Sequence, residues 1–420
     1  MPQTAAGSRL RRIPRQLRRR PKRTYPELPR SGDGAEGVRP GGSTRPVWRR
    51  ADGRSVRVPL PGRDPIWARL LIVLGVLLMF ASGGALGAGK VLANRYDDSV
   101  KKDTLLADDA RSGAGVGLKT DEDIPRTKLT GPLNFLLIGS DARVDDPEGG
   151  QRSDSIIVAH VPVTMDRVYL LSVPRDLRVE IPPFEKTGFR GGRDKINAAF
   201  DYGGGGSGGV QLLSATLTNL MGIRFDGAAI VDFEGFKDVV RVLGGVDMCI
   251  DHRVVSEHMG FDDEGKFLSP HRGGRAVVYE AGCHHFDDWE ALDLVRQRYS
   301  LPDGDYGRQK NQQRFLRALL TQAQKKGVLQ NPLKMDSMIR AVAGTLTVDT
   351  NGYSIADLVF SLRDIRPDSI VGLQVPSEPA WIGGTSYILP FQEAEGLYKA
   401  LVDDTLEDWA VANPTWSNRP

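Results

Sequence analysis

Cysteine and histidine are scarce in this chain: two cysteines, Cys249 and Cys283, and six histidines among 420 residues. No two histidines stand four apart, and the adjacent pair His284-His285 beside Cys283 makes a poor zinc site. There is no internal repeat. The N-terminal stretch has no helix-turn-helix pattern, which argues against a DNA-acting module, so no nucleic-acid partner is expected. Long apolar runs are rare too. Residues 70–89 hold 20 residues without a charge, about the length a helix needs to cross a bilayer core.

Charge is unevenly spread. Residues 1–69 carry 18 Lys and Arg against 5 Asp and Glu, whereas the whole chain is only +3. Residues 1–65 are rich in Arg, Pro and Gly without apolar period, and read as a disordered basic tail. The blocks Arg18-Arg19-Arg20 and Lys22-Arg23 suit anionic lipid, the simpler partner next to a span. The apolar run is too uniform for a core helix, and its long Arg-rich lead does not fit a cleaved signal peptide. Arg63 and Arg69 precede it; Asp97 and Asp98 follow. The positive-inside rule puts the N-terminus in the cytoplasm and the rest outside, with Trp67 as an interfacial anchor. Both cysteines then lie where thiols can be oxidised, either bridged or as two unpaired buried thiols. A bridge would close a loop of about 35 residues, worth about 3–4 kcal/mol.

The expected layout is a tail over 1–65, a transmembrane helix over 66–92, a linker over 93–130, a folded domain over 131–404 and a C-terminal tail over 405–420. Within the domain, apolar runs predict strands over 133–139, 155–161, 167–173, 229–233, 246–250 and 369–375. The short turn at Thr164-Met165-Asp166 makes the second and third an antiparallel pair. Helical spacing covers 209–222, 236–243, a segment from Trp289, 309–325, 331–344 and 354–363. The fold class is therefore α/β, a single extracytoplasmic domain with a mixed central sheet covered by helices.

Scattered motifs punctuate these elements: Gly139-Ser140-Asp141-Ala142-Arg143, Arg152-Ser153-Asp154-Ser155, Val173-Pro174-Arg175-Asp176, Lys195-Ile196-Asn197, Arg296-Gln297-Arg298 and Asp305-Tyr306-Gly307-Arg308. Gathered together they would place several fixed cations beside two or three carboxylates, a set suited to a pyrophosphate with a divalent metal. Arg296 and Arg298 converge only if the helix stops between them; Arg308 and Gln312 share one helix face.

These motifs, in this order and behind a basic tail and single span, resemble the LytR-CpsA-Psr family of cell-envelope proteins over roughly 131–401. The cysteine pair is similar to that of actinobacterial members. The resemblance implies transfer of a glycopolymer from a polyprenyl-pyrophosphate carrier onto peptidoglycan as a phosphodiester. It implies Asp141 and Asp154 as ligands of Mg²⁺ (or Mn²⁺). Arg143, Arg152, Arg175, Lys195, Asn197, Arg296, Arg298, Arg308 and Gln312 would surround the pyrophosphate, with Arg175, Arg296, Arg298 and Arg308 acting in catalysis. An apolar tunnel would take the polyprenyl tail. The alternatives are a polyprenyl-pyrophosphate phosphatase and a non-enzymatic, membrane-tethered, lipid-binding regulator. Three features depart from the family: Asn311 where an Arg is usual, Arg241 where an acid is common, and a long glycine stretch at 203–209, either a lid or a surface insertion.

Overall fold

The computed structural model describes residues 48–49, 55–56, 101–113, 129–140, 153–328, 331–342 and 346–419. Residues 1–74 and 75–420 are separate units. In the first, Trp48–Arg49 and Ser55–Val56 pair as a short antiparallel ribbon. The expected membrane span lies outside the described residues, and among those described no helix is long and apolar enough to cross a membrane.

The second unit is built on one eight-stranded sheet. Its strands are β1 (Lys101–Lys102), β2 (Leu133–Ser140), β3 (Ser153–Val161), β4 (Val168–Ser172), β5 (Gly227–Val231), β6 (Leu346–Asp349), β7 (Ile370–Gln374) and β8 (Ser417–Asn418). Their order is β8-β7-β4-β3-β2-β5-β6-β1. β2 runs antiparallel to β3 and parallel to β5; β3–β4 is antiparallel and β4–β7 parallel, so the sheet is mixed. Both faces of β2 and β3 are covered, which is why these strands read as continuous apolar runs rather than alternating ones.

Six helices bear on the core and the site: α1 (Gly206–Met221), α2 (Phe233–Val242), α3 (Asp288–Arg296), α4 (Asp305–Lys325), α5 (Glu393–Val402) and α6 (Leu406–Ala412). On one sheet face Leu136, Ile138, Ile156, Val158 and Leu171 pack with Leu213 and Leu217 of α1 and Leu397 and Trp409 of α5 and α6. The alternate residues Leu137, Ile157, Ala159 and Leu170 face Leu316 and Leu320 of α4, as the period of two along a strand requires. Gln313 fastens α4 to this face. Its buried amide donates to Leu170 O (3.2 Å), Ser172 Oγ (3.0 Å) and Leu373 O (2.9 Å). Gly372 makes room: a Cβ there would lie 2.0 Å from Gln313 Oε1.

The expected strands and helices appear close to their expected bounds, and the chain turns back after Met165, whose φ is 56°. Two boundaries differ. The folded unit starts well before 131, because β1 joins the sheet and Leu105, Leu106 and Ala110 are fully buried. Nor is 405–420 a tail: α6 buries Leu406 and Trp409, and β8 adds a strand beside β7. Short polar segments such as these carry little local signal and are ordered by what they pack against. The 203–209 stretch runs directly into a helix. Gly206 onward begins α1, and a Cβ on Gly209 would sit 2.5 Å from Phe200 O, so glycine there permits backbone to meet backbone.

Asp349, at the end of β6, holds the early segment in place. It accepts from Leu105 N (2.9 Å), Leu106 N (3.1 Å), Asn351 N (2.9 Å) and Arg111 (2.6 Å). Burial works against its charge, but Arg111 and the backbone donors outweigh it and hold its pKa below the usual carboxylate value. Its stabilisation is therefore present above the unfolded carboxylate pKa and is lost as pH falls through the lower, folded one. Asp349→Ala should cost about 3 kcal/mol at neutral pH, read by denaturant unfolding. The gap from wild type should shrink in strong acid; a gap constant with pH would refute the assignment.

Candidate functional site

β2 and β5 are parallel, and their C-terminal ends lie beside the N-terminal end of antiparallel β3. Ligands in α/β sheets gather at such ends. A cavity of about 500 Å³ opens there, between the sheet and helices α2, α3 and α4. Most of its wall is apolar, from Leu137, Ile157, Ala229, Phe236, Phe315 and Leu319 among others. One end is polar, where Asp154, Arg175, His258, Arg296, Arg298, Arg308 and Gln312 line it.

Each arginine is placed by a local device. Arg175 follows β4 and Pro174, and its Nη1 donates to Asp154 Oδ1 at 2.5 Å. Burial opposes its charge, but Asp154 and Asp176 outweigh burial and hold its pKa above the ordinary arginine value. Arg308 lies in the first turn of α4, 5% exposed, with Nη2 2.8 Å from Asp305 Oδ1. Burial pulls its pKa down; Asp305 pulls the other way, and Arg175 adds to the lowering. The Nε atoms of Arg175 and Arg308 are buried without a hydrogen-bond partner among the described residues. Gln312, one turn further, accepts from Ser155 Oγ (3.0 Å) and donates to Val295 O (3.2 Å), pinning α4 to β3 and α3.

The Arg296-Gln297-Arg298 segment resolves as the sequence required. A capping box of Asp287 and Glu290 starts α3, and the helix stops at Gln297, whose backbone is extended (φ −66°, ψ 139°). The stop lets residues two apart reach one cavity. Gln297 itself, which sequence reasoning passed over, is the buried anchor of the turn. Its amide donates to Asp293 Oδ1 (2.7 Å) and its carbonyl accepts from Glu257 N (3.0 Å). Asp293 also accepts from Ser256 Oγ and the Tyr279 hydroxyl, each 2.9 Å, and burial raises its pKa. Arg296 stacks 4.3 Å over the Phe233 ring and Arg298 4.4 Å over Tyr299. His258 was also missed. Burial, then Arg296, pushes its pKa down to about 4, so at neutral pH it adds no positive charge to the cluster.

Not every expected residue converges here. Lys195 and Asn197 line a neighbouring polar cleft that shares Arg175, Arg298 and Tyr299 with the cavity, and Lys195 pairs with Asp176 at 2.9 Å. Asp141, Arg143 and Arg152 lie outside the described residues, though β2 ends at Ser140 opposite Ser153. Asn311 points away, towards a small cavity with Asp251 and Arg314, so the residue that departs from the family pattern does not line the arginine pocket. Arg241 pairs on the surface with Asp238 (2.6 Å) and Asp288 (2.5 Å) and lines neither cleft. Cys249 and Cys283 are bonded across paired strands 246–250 and 282–286.

Residues 91–401 match the LytR_cpsA_psr family. The chain belongs to this family. Among curated LytR_cpsA_psr relatives, it is 34% identical over 255 residues to the probable cell wall biosynthesis protein LcpB of Corynebacterium glutamicum, covering 57% of this chain and 54% of that one. The chain thus spans about half the length of that relative. It is 29% identical over 312 residues to TagU of Bacillus anthracis, named a polyisoprenyl-teichoic acid–peptidoglycan teichoic acid transferase, covering 74% and 88%. In fold it is similar to Bacillus subtilis TagV (TM-score 0.50, 25% identity, 66% and 98% covered). It also resembles protein gbs0355 of Streptococcus agalactiae (TM-score 0.53, 23% identity, 65% and 87% covered).

Proposed function

We propose that this LytR_cpsA_psr protein is a phosphotransferase that moves a glycopolymer from a polyprenyl-pyrophosphate carrier onto a peptidoglycan hydroxyl, as a phosphodiester. The observation that carries the reading is the joining of an apolar cavity to a cluster of four arginines, two of whose buried Nε donors have no hydrogen-bond partner among the described residues. A lipid pyrophosphate has the matching halves: a chain for the apolar wall and oxygens for the guanidinium groups. The lowering of the Arg308 pKa, by burial first and by Arg175 after it, points the same way, because a bound polyanion would offset both. The relative named a teichoic acid transferase adds support for the class of reaction.

In this reading the acceptor oxygen forms a bond to the phosphorus that carries the glycan. The bond from that phosphorus to the bridging oxygen breaks, and polyprenyl phosphate leaves. Arg175, Arg296, Arg298 and Arg308 hold the pyrophosphate and offset charge on the leaving oxygen. Their fixed partners do the positioning: Asp154 for Arg175, Asp305 for Arg308, and Gln297 for the turn bearing the other two. The apolar wall keeps water from the reacting phosphorus, which would otherwise be hydrolysed.

A magnesium ion is part of the proposal. Among the described residues no group of three His, Cys, Asp or Glu side chains stands close enough to hold a metal. Mg²⁺ is commonly held by one or two carboxylates and substrate phosphates, a mode that suits Asp154 with Asp141 from the end of β2. The ion would neutralise phosphate charge. We further place the arginine pocket on the outer side of the membrane, with residues 66–92 as the span and the N-terminus in the cytoplasm.

The test gives the full chain a short-sugar polyprenyl-pyrophosphate and peptidoglycan fragments, with Mg²⁺ or with chelator. A sugar-phosphate adduct seen by mass spectrometry, and lost on chelation, is the expected result. Donor cleavage without adduct would point instead to a phosphatase, and a rate indifferent to chelator would remove the metal.

A further inference from the structure

The polar cleft beside the arginine pocket has about 590 Å³ of space and a mostly polar lining. Arg175, Arg298 and Tyr299 belong to both, so the two hollows meet at the reacting end. The far side of the cleft is the hairpin of strands Ser377–Ile382 and Thr385–Pro390, which contributes Ser386 to its lining. The hairpin is held against the domain: Ile388 N donates to Asp176 O at 2.9 Å, and Lys195 lies 5.8 Å from the centre of the Tyr387 ring.

One large aromatic side chain stands exposed in this cleft and a second on the hairpin that borders it. Tyr299 is 72% exposed, its ring backed by Arg298. Trp381 is 77% exposed and sits directly opposite Ser386 in the hairpin register. Directly opposed residues of an antiparallel pair project to the same face, so Trp381 shares the face of the residue that lines the cleft. The lining of the cleft is charged and hydrogen-bonding, with Lys195 and Asn197. Flat apolar faces edged by hydroxyls and amides are the surface of a sugar chain. Such a chain can stack on the rings and bond to the floor.

We propose that this cleft is the acceptor subsite, in which a peptidoglycan glycan strand lies across Lys195 and Asn197 and stacks on Tyr299 and Trp381. The proposal rests on the transferase reading above. A transfer between two substrates needs both held at the reacting atoms. The apolar cavity takes the carrier's chain, and this cleft approaches the same arginines from the side.

The experiment compares wild type, Trp381→Ala and Trp381→Phe in the full chain. Soluble, uncrosslinked peptidoglycan strands serve both as binding probe and as acceptor. Trp381→Ala is expected to weaken strand binding and raise the acceptor KM by about fivefold to tenfold, with donor KM and melting temperature unchanged. Trp381→Phe should recover most of that loss. Equal strand binding by wild type and Trp381→Ala would overturn the subsite. A rise in donor KM in place of acceptor KM would also overturn it, assigning the cleft to the polymer being transferred. Loss of binding to lipid vesicles with strand binding intact would overturn it in favour of a membrane contact. Strand binding is read without turnover, so a failed transferase assay and a failed subsite are told apart.

Discussion

Arg308→Ala should lower polymer transfer by about 10²–10³-fold, the usual loss when one fixed donor to developing charge is removed. Arg308 combines three properties that exposed arginines lack. It is 5% exposed, its Nε has no partner among the described residues, and its carboxylate neighbour Asp305 reaches only its Nη2. Its charge is disfavoured in the pocket, since burial, with Arg175 adding, outweighs Asp305 and lowers its pKa. Truncation should therefore shift the melting temperature by only a few degrees, because it relieves a crowded cation while freeing a partly exposed acid. Arg308→Lys separates charge from shape. A point charge cannot reproduce the two-pronged grip of a guanidinium on phosphate oxygens, so lysine should restore only a minor part of the rate. Adduct formation measured beside thermal unfolding decides it. Near-normal transfer by the alanine variant would take Arg308 out of the site.

Ala229→Phe should produce the second large effect, and by a different route. Ala229 lies on β5, with its neighbours Leu137 and Val348 in register, and lines the apolar part of the cavity. A phenyl group there would fill space meant for a lipid chain. Turnover of a long-chain donor should fall on the order of 10²-fold, because each lost methylene contact in an apolar pocket carries a sizeable penalty. A donor with a short prenyl chain should keep most of its rate. The arginines are untouched, so phosphate chemistry itself should survive. The fold should be as stable as wild type or slightly more so, since the substitution fills a void rather than displacing packed atoms. Equal loss with long and short donors would mean that the cavity does not hold the chain.

Much of this site was legible in the chain before folding. The runs 133–139 and 155–161 announce buried strands because both faces are covered, and the polar motifs at their ends mark where a sheet presents ligands. Arg296 and Arg298 could converge only if the helix stopped between them, and the structure ends it at Gln297. Less visible were the residues that act through others. Nothing local distinguishes Gln297 or Gln313 from surface glutamines; burial alone turns their amides into anchors. His258 gave no signal either, since a lone histidine in a strand acquires its neighbours only from other elements.

The sequence by itself determined the mixed α/β class and the order of the strands and helices, which follow from hydrophobic period and turn chemistry acting within a few residues; the arginines of the pocket were singled out by the family resemblance. Tertiary structure alone decided that Asn311 faces away from the pocket. It also drew 101–112 and 406–418 into the fold, and set Lys195 and Asn197 in a second cleft bordered by the 377–390 hairpin. Those outcomes depend on which faces meet across the sheet. Contacts between residues a hundred or more positions apart leave no period in the chain to read.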